Sequence, residues 1–176
     1  MNTSGRVSLC LYEEKYKEDL HAFELPPEQA EFTGLPAETL SEALANPGKT
    51  AVVIAQDEHA VGFFVLHRGE GIADFYRDTT RAILLRAFLI NYKSQGQGIA
   101  KASMELLPGF VRTNFPFIRE IVLAVNERNI SAASLYSRSG FLDKGLRRSG
   151  QKGPQKVLQY ALDGSLRRQS IAGQLQ

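Results

Sequence analysis

The sequence contains no tryptophan, two methionines and a single cysteine, Cys10. One cysteine excludes an intrachain disulfide framework and fits a reducing compartment, so a cytoplasmic location is expected and Cys10 reads as a small core residue. No apolar run approaches the roughly 18 residues that a membrane span requires, and the N-terminus lacks the apolar core of a secretory leader. Neither a membrane association nor export is therefore expected. The three histidines, His21, His59 and His67, are too scattered for metal-ligand spacing, so no metal is expected. Internal repeats and low-complexity blocks are also missing. What remains is a chain of 176 residues, 43% hydrophobic and 23% charged, the composition of one ordinary globular domain. A domain of this size buries about 70% of its unfolded surface and folds without a disulfide or metal staple. A single domain over 1–176 is expected, with a core over 6–162 and a polar tail over 163–176.

Positive charge is missing from one long stretch. Residues 18–48 hold seven acids (Glu18, Asp19, Glu24, Glu28, Glu31, Glu38 and Glu42) and neither lysine nor arginine. The formal net charge of +2 conceals this, because residues 1–88 carry 14 acids and 8 bases, while residues 89–176 carry 5 acids and 13 bases. The halves thus stand at −6 and +8, which points to two surfaces with different clients; acids decorating solvated helix faces are the plainer explanation.

Residues 6–12 alternate like a half-buried strand, and 13–23 read as an amphipathic helix stopped by Leu25-Pro26-Pro27. Pro27 suits the first position of a short helix ended by Gly34, and 36–45 form another, closed by Asn46-Pro47-Gly48. Residues 50–56 and 60–66 flank Asp57-Glu58-His59 as a hairpin. Residues 82–90 (AILLRAFLI) form the most apolar run, as expected of a central strand. A helix over 97–111, ended or kinked by Pro108, a strand over 118–125 and a helix over 130–139 capped by Gly140 follow. Strands over 141–146 and 156–162 close the domain, joined by a basic, glycine-rich stretch that reads as a solvated loop. The order is that of an α+β or mixed α/β fold, with an antiparallel front and a βαβ-like middle.

The most informative segment is Gln95-Gly96-Gln97-Gly98-Ile99-Ala100-Lys101, between the apolar strand and a helix. Successive backbone N–H groups and a helix dipole there suit an anion, and glycines let a backbone approach a pyrophosphate closely. A Walker A loop is excluded for want of Gly-Lys-Ser/Thr at the required spacing, and a dinucleotide fingerprint because Lys101 stands where its third glycine belongs. A second segment runs from Asn129 to Tyr136 and on to Gly140-Phe141. Seven residues separate Asn129 from Tyr136, so two helical turns put them on one face. Alone, Asn129 reads as a helix N-cap and Tyr136 as a core aromatic.

Together the two segments resemble the GNAT family of acetyl-CoA-dependent N-acyltransferases. The family's pyrophosphate motif, Gln/Arg-x-x-Gly-x-Gly/Ala, matches Gln95, Gly98 and Ala100. Its later motif, Asn-x-x-Ala-x-x-Leu-Tyr-x-x-x-Gly-Phe, matches Asn129, Ala132, Leu135, Tyr136, Gly140 and Phe141 without a gap. The resemblance implies a three-layer α+β fold, with a mixed, mostly antiparallel twisted sheet of about six or seven strands, helices on both faces and a splayed central pair. It implies that amides of Gly96, Gln97, Gly98, Ile99, Ala100 and Lys101 cradle the CoA pyrophosphate, with Gln95 shaping the loop. Backbone groups of Phe88, Leu89 and Ile90 would pair with pantetheine and orient the thioester, Asn129 would bond the pantetheine arm, and Tyr136 would protonate the leaving thiolate. A homodimer is compatible with the resemblance.

The implied reaction is attack by an amine on the thioester of acetyl-CoA. A free alkylamine, with a pKa near about 10.4, is mostly protonated at neutral pH and must lose that proton. Many relatives carry a glutamate near the start of the central strand, but here that neighbourhood reads Arg81-Ala82-Ile83. No general base is therefore assigned; Glu31, Asp74 and Tyr76 are candidates by location. In the fold the acceptor lies against the first helices, where the acidic stretch falls, so Glu28 and Glu31 with Asp74 and Tyr76 are the candidate acceptor contacts. An anionic wall attracts a cation. Residues 25–32 and 39–43 also resemble the front of bacterial spermine/spermidine acetyltransferases, which implies a polyamine acceptor. Other acceptors, namely an aminoglycoside, an amino acid or a protein N-terminus, fit the CoA motifs equally, and an acyl-CoA-binding regulator without turnover is a further alternative. Nucleic-acid binding by the basic residues Lys144, Arg147, Arg148, Lys152 and Lys156 is disfavoured, because no aromatic platform interleaves them.

Overall fold

The apolar run forms the centre of the molecule. In the computed structural model, which describes residues 5–163, it is strand β4 (Ala82–Ile90). Six other strands complete one sheet: β1 (Val7–Leu11), β2 (Lys49–Gln56), β3 (His59–His67), β5 (Glu120–Asn126), β6 (Leu142–Gly150) and β7 (Gly153–Ala161). Their order is β1-β2-β3-β4-β5-β7-β6, antiparallel throughout except for the β4–β5 pair. That parallel pair needs a crossover, supplied by α4 (Ile99–Asn114). α1 (Lys17–His21), α2 (Pro27–Ala30) and α3 (Pro36–Ala45) precede β2, and α5 (Ile130–Arg138) follows β5.

Strand alternation sorts the apolar side chains onto two faces. Val52, Ile54, Phe64, Leu66, Ile83 and Leu85 pack with Ile99, Leu107 and Val111 of α4. Ala51, Val53, Phe63 and Val65 pack on the opposite face with Leu20 and Leu40 of the first helices. The expected three-layer arrangement with helices on both faces is therefore what the sequence builds.

Two irregularities shape β4. Val65 of β3 faces Arg86 and Phe63 faces Leu89, so Phe64 opposes two residues, Ala87 and Phe88. This is a β-bulge, and Ala87 takes φ +53° to make it. On the other side, β4 pairs with β5 only from Ala82↔Glu120 to Leu85↔Leu123, after which the ladder stops and the two strands part. Gly62 lies opposite Ile90 beside the bulge. A Cβ there would come within 2.7 Å of Ile54 Cδ1 and 2.9 Å of both Ile90 Cδ1 and the Leu89 carbonyl.

Several local expectations change. The helix expected over 13–23 is a 3-10 turn, Glu14–Tyr16, followed by the short α1. α4 starts two residues late, at Ile99, because Gly98 takes a left-handed φ of +77°. It then runs past Pro108, which is buried within it, to Asn114. The hairpin turn is two residues, Asp57 and Glu58, both at positive φ as its hand requires. The largest correction concerns 144–156, read as a solvated loop. It is the outer half of the β6–β7 hairpin, turning at Gln151-Lys152. Pairings from Arg147↔Lys156 to Gly150↔Gly153 hold it, with a register shift absorbed near Gly145 at φ +91°. Charged residues and glycine weaken the strand pattern that sequence reading relies on, yet they suit an edge strand. The basic tail motif Arg167-Arg168-Gln169-Ser170 lies outside the described residues.

Two glycines should respond in opposite directions. Gly109 is exposed in α4 with open space around a would-be Cβ, so Gly109→Ala should stabilise by about 0.5–1 kcal/mol. Gly62→Ala should destabilise by about 1–3 kcal/mol through overpacking. Thermal unfolding reads both, at about 2–4 °C per kcal/mol.

Candidate active site

The parting of β4 and β5 opens a cleft of about 1450 Å³ through the middle of the sheet. Residues Leu84–Ile90 and Leu123–Asn126 line it, with the loop before α4, the first turns of α4 and α5, residues around α2, and the β6–β7 hairpin.

At one end lies the glycine loop. Gly96 and Gly98 adopt φ of +76° and +77°, and nothing lies within 4 Å of a Cβ added at either. Their conformation, and the open space in front of them, suit close approach by a ligand. No side chain caps α4, so among the described residues the N–H groups of its first turn have no partner, as an anion site needs. The Gln95 side-chain amide donates to the Ile90 carbonyl (3.0 Å) and to Gln29 Oε1 (2.7 Å), and its own Oε1 accepts from Gln29 Nε2 (3.1 Å). It thereby ties α2 to the loop. On the opposite jaw, Arg128 pairs with Glu31 at 2.8 Å and lies 5.5 Å from the Phe32 ring centroid. The segment around α2 therefore clasps both strand ends across the cleft.

At the other end, Tyr136 of α5 is 9% exposed and faces the cleft. Ring contacts run from Phe64 to Phe88 (6.1 Å between centroids), Tyr136 (6.4 Å), Phe141 (5.8 Å) and Tyr160 (5.5 Å). Flanked in this way, the Tyr136 ring is held in one orientation. Burial pushes its phenol well above the ordinary tyrosine value, so the hydroxyl stays protonated. It has no hydrogen-bond partner among the described residues. Asn129 caps α5, its Oδ1 accepting from Ala132 N at 3.3 Å, and its Nδ2 remains free to donate into the cleft. Asn126, 5% exposed, fixes the neighbouring corner: its Nδ2 donates to the Lys152 carbonyl and its Oδ1 accepts from Arg128 N, each at 2.9 Å.

Of the residues singled out from sequence, Phe88, Leu89, Ile90, Gln95, Gly96, Gly98, Ile99, Ala100, Asn129, Tyr136 and Glu28 line the cleft together. Gln97 and Lys101 belong to the same loop and first turn but point to solvent. Glu31 does not line the cleft and is engaged by Arg128. Asp74 is exposed and off the cleft wall. Tyr76 packs near Ile72, Ala82, Leu84 and Val122, and burial, with a hydrogen bond to Glu120, pushes its phenol up; it too is off the wall. Sequence reasoning missed Gln29, Thr33, Phe75, Arg86, Arg128 and Arg148, all on the wall. The signal for Arg86 was present, since it is the single charge in the apolar run of β4.

A sheet whose central parallel strands part beside an uncapped helix N-terminus is the framework that the resemblance to N-acyltransferases implies. Residues 13–141 match the acetyltransferase (GNAT) family, and the chain belongs to that family. The chain is 42% identical over 156 residues to the uncharacterized N-acetyltransferase YbbJ of Bacillus subtilis (strain 168), covering 89% of this chain and 98% of the relative. Its fold is similar to that of spermidine N-acetyltransferase from Vibrio cholerae in complex with CoA and spermine (TM-score 0.68, 17% identity, 91% of this chain and 98% of that one). It is likewise similar to aminoglycoside acetyltransferase AAC(6')-Ib in complex with coenzyme A and kanamycin (TM-score 0.71, 16% identity, 92% and 98%).

Asn126→Ala should cost about 1–3 kcal/mol, because it removes two hydrogen bonds and strands their partners. Urea denaturation monitored by circular dichroism measures the loss.

Proposed function

We propose that the protein transfers the acetyl group of acetyl-CoA to a primary amine by direct attack on the thioester. The observation that carries this reading is the single continuous cleft, which runs from the uncapped N-terminus of α4 to the buried Tyr136 hydroxyl. The residues present fit acetyl-CoA. First-turn amides at Gly98, Ile99 and Ala100 bind pyrophosphate oxygens, backbone groups of Phe88–Ile90 that lack a ladder partner on β5 pair with pantetheine, and Asn129 Nδ2 donates to its carbonyl.

Acetyl-CoA supplies an activated acyl group with a thiolate leaving group. A β4 backbone N–H beyond the bulge donates to the carbonyl oxygen, where negative charge grows as the amine attacks. The amine nitrogen bonds to the carbonyl carbon, the C–S bond breaks, and the Tyr136 hydroxyl gives its proton to the departing sulfur. The proton lost by the amine restores the phenol through solvent. Holding the amine against the thioester supplies much of the acceleration.

A polyamine acceptor is a second reading, favoured by Glu28, which lines the cleft without an ion partner among the described residues. The remaining acids of the 18–48 stretch support it less. Glu42 pairs with Lys49 (2.6 Å), Glu31 with Arg128 (2.8 Å), Asp19 accepts from Ala60 N (2.9 Å) and Glu38 from Leu35 N (3.1 Å).

The test is thiol release from acetyl-CoA across a broad panel of amines, with mass spectrometry of the product. Acetylated amine is expected; acetyl-CoA binding with no transfer to any amine overturns the reading in favour of an acyl-CoA-binding regulator. Tyr136→Phe should lower kcat by about 10- to 10⁴-fold, the range left by partial replacement of the phenol by water. Unchanged kcat would remove Tyr136 from the role of acid. At Asn129, aspartate keeps the cap whereas alanine loses it. Asn129→Asp should therefore weaken CoA binding at nearly native stability, while Asn129→Ala also costs about 1 kcal/mol of stability.

A further inference from the structure

The cleft wall contains two cations that the acetyl donor does not account for. Arg86 projects from β4 on the face opposite α4, and Arg148 reaches the same region from β6, where it pairs in register with Gln155. The Phe75 ring connects them, lying 5.1 Å from the Arg86 guanidinium carbon and 4.0 Å from that of Arg148. Arg86 Nη1 meets His67 Nδ1 at 3.0 Å, and Arg148 Nη1 donates to Gln155 Oε1. No carboxylate forms an ion pair with either guanidinium among the described residues. Glu42, whose charge acts on Arg86, holds Lys49 Nζ at 2.6 and 2.7 Å. The Arg148 Nε is buried with no hydrogen-bond partner among the described residues.

Two like charges held together in a partly dehydrated wall oppose one another, and a buried unpaired donor adds a cost. A ring face offsets part of this by cation–π attraction but satisfies no N–H. What would satisfy both is an oxyanion, because each guanidinium presents a planar fork of donors matched to a carboxylate.

That oxyanion does not belong to the donor's pyrophosphate. From Arg86 to Ile90, where the chain leaves for the glycine loop, four strand residues span about 13 Å. Arg86 also faces the helices before β2, whereas the loop opens α4 on the other face. Phe88, proposed to meet the thioester, is two residues beyond Arg86. An anionic group between Arg86 and Arg148 therefore sits on the acceptor's side of the reacting carbon.

We infer that the acceptor is a small amine that also carries a carboxylate, an amino-acid-like zwitterion whose carboxylate is held between Arg86 and Arg148 while its amine meets the thioester. The inference rests on the acetyl-transfer reading above and selects among its acceptors. The same wall presents the Glu28 carboxylate, so a molecule bearing both charges is matched where a polycation meets two guanidiniums.

The test uses the full-length protein with acetyl-CoA and pairs of acceptors that differ only in the charged group: amino acids, their decarboxylated amines, the corresponding aminoalkyl phosphonates, and spermidine. Carboxylate-bearing amines should exceed their decarboxylated counterparts in kcat/KM by about 10- to 100-fold, as expected for charge-assisted hydrogen bonds. Arg148→Gln should raise the amino-acid KM by a similar factor and abolish the preference, with the acetyl-CoA KM unchanged. Arg148→Lys should restore little of it, because an ammonium lacks the fork. Arg86→Gln provides a second variant if the first does not fold, and calorimetric titration of the amino acid into CoA-loaded protein gives a readout independent of turnover. A preference for spermidine or the decarboxylated amines overturns the inference while acetyl transfer stands. So does a carboxylate preference that survives both glutamine variants. Preference for the phosphonates overturns the assignment to a carboxylate, and an absence of transfer to every amine overturns the acetyl-transfer reading itself.

Discussion

Everything at the centre of this protein depends on a hydrogen-bond ladder that stops. β4 and β5 pair for four residues and then part, although both strands continue. Strands diverge in this way only if each is held from its far side. β4 is held by β3 and β5 by β7, through a ladder that reaches Asn126. The bulge at Ala87 supplies the bend, at the expense of a left-handed alanine, which costs on the order of 1–2 kcal/mol. The apolar cores on both faces of the sheet offset that local strain. The bulge also shifts the alternation of β4: Leu84 lies on the face of the Phe75 cluster, whereas Phe88 packs with the α4 core. One irregularity therefore opens the gap and aims different side chains to its two faces.

Around this gap the cleft-lining groups lie in different directions. The glycine loop and α4 N-terminus stand beyond the end of β4, Tyr136 rises from the α5 side, and Arg86 with Arg148 occupies the face of the early helices. Neutralisation is local. Most of the acids that give residues 18–48 their charge are spent on Lys49, Arg128 or backbone N–H groups. A sequence charge map records formal charge without those pairings, and so overstates how anionic that stretch is.

Much of this was legible beforehand because it is local. Alternation in 50–56 and 60–66, the apolar run of β4, and the glycines preceding α4 each follow from short-range backbone preferences, and the two motifs mark the glycine loop and α5, which both line the cleft. What escaped depended on tertiary partners. The arginines and glycines of 144–156 have weak strand propensity, and only pairing with β7 makes them a strand. Arg148 enters the cleft through that pairing, and Phe75 reaches it from a loop with no periodic signal. Gln29 becomes meaningful only because Gln95, far along the chain, meets it. Glu31, Asp74 and Tyr76 are candidates by position along the chain alone, and chain position does not report which way a side chain points.

The β6 strand has a consequence beyond the cleft. It is one of the two outer strands of the sheet, and such a margin offers unpaired N–H and C=O groups to any extended peptide. Here that margin carries Asp143, Lys144 and Arg147, and it is bent at Gly145. A second chain approaching edge-on would have to bury those charges and match a kinked register. The hairpin that delivers Arg148 inward thus also protects the sheet from templated strand addition, and ties resistance to aggregation to the same short stretch of sequence.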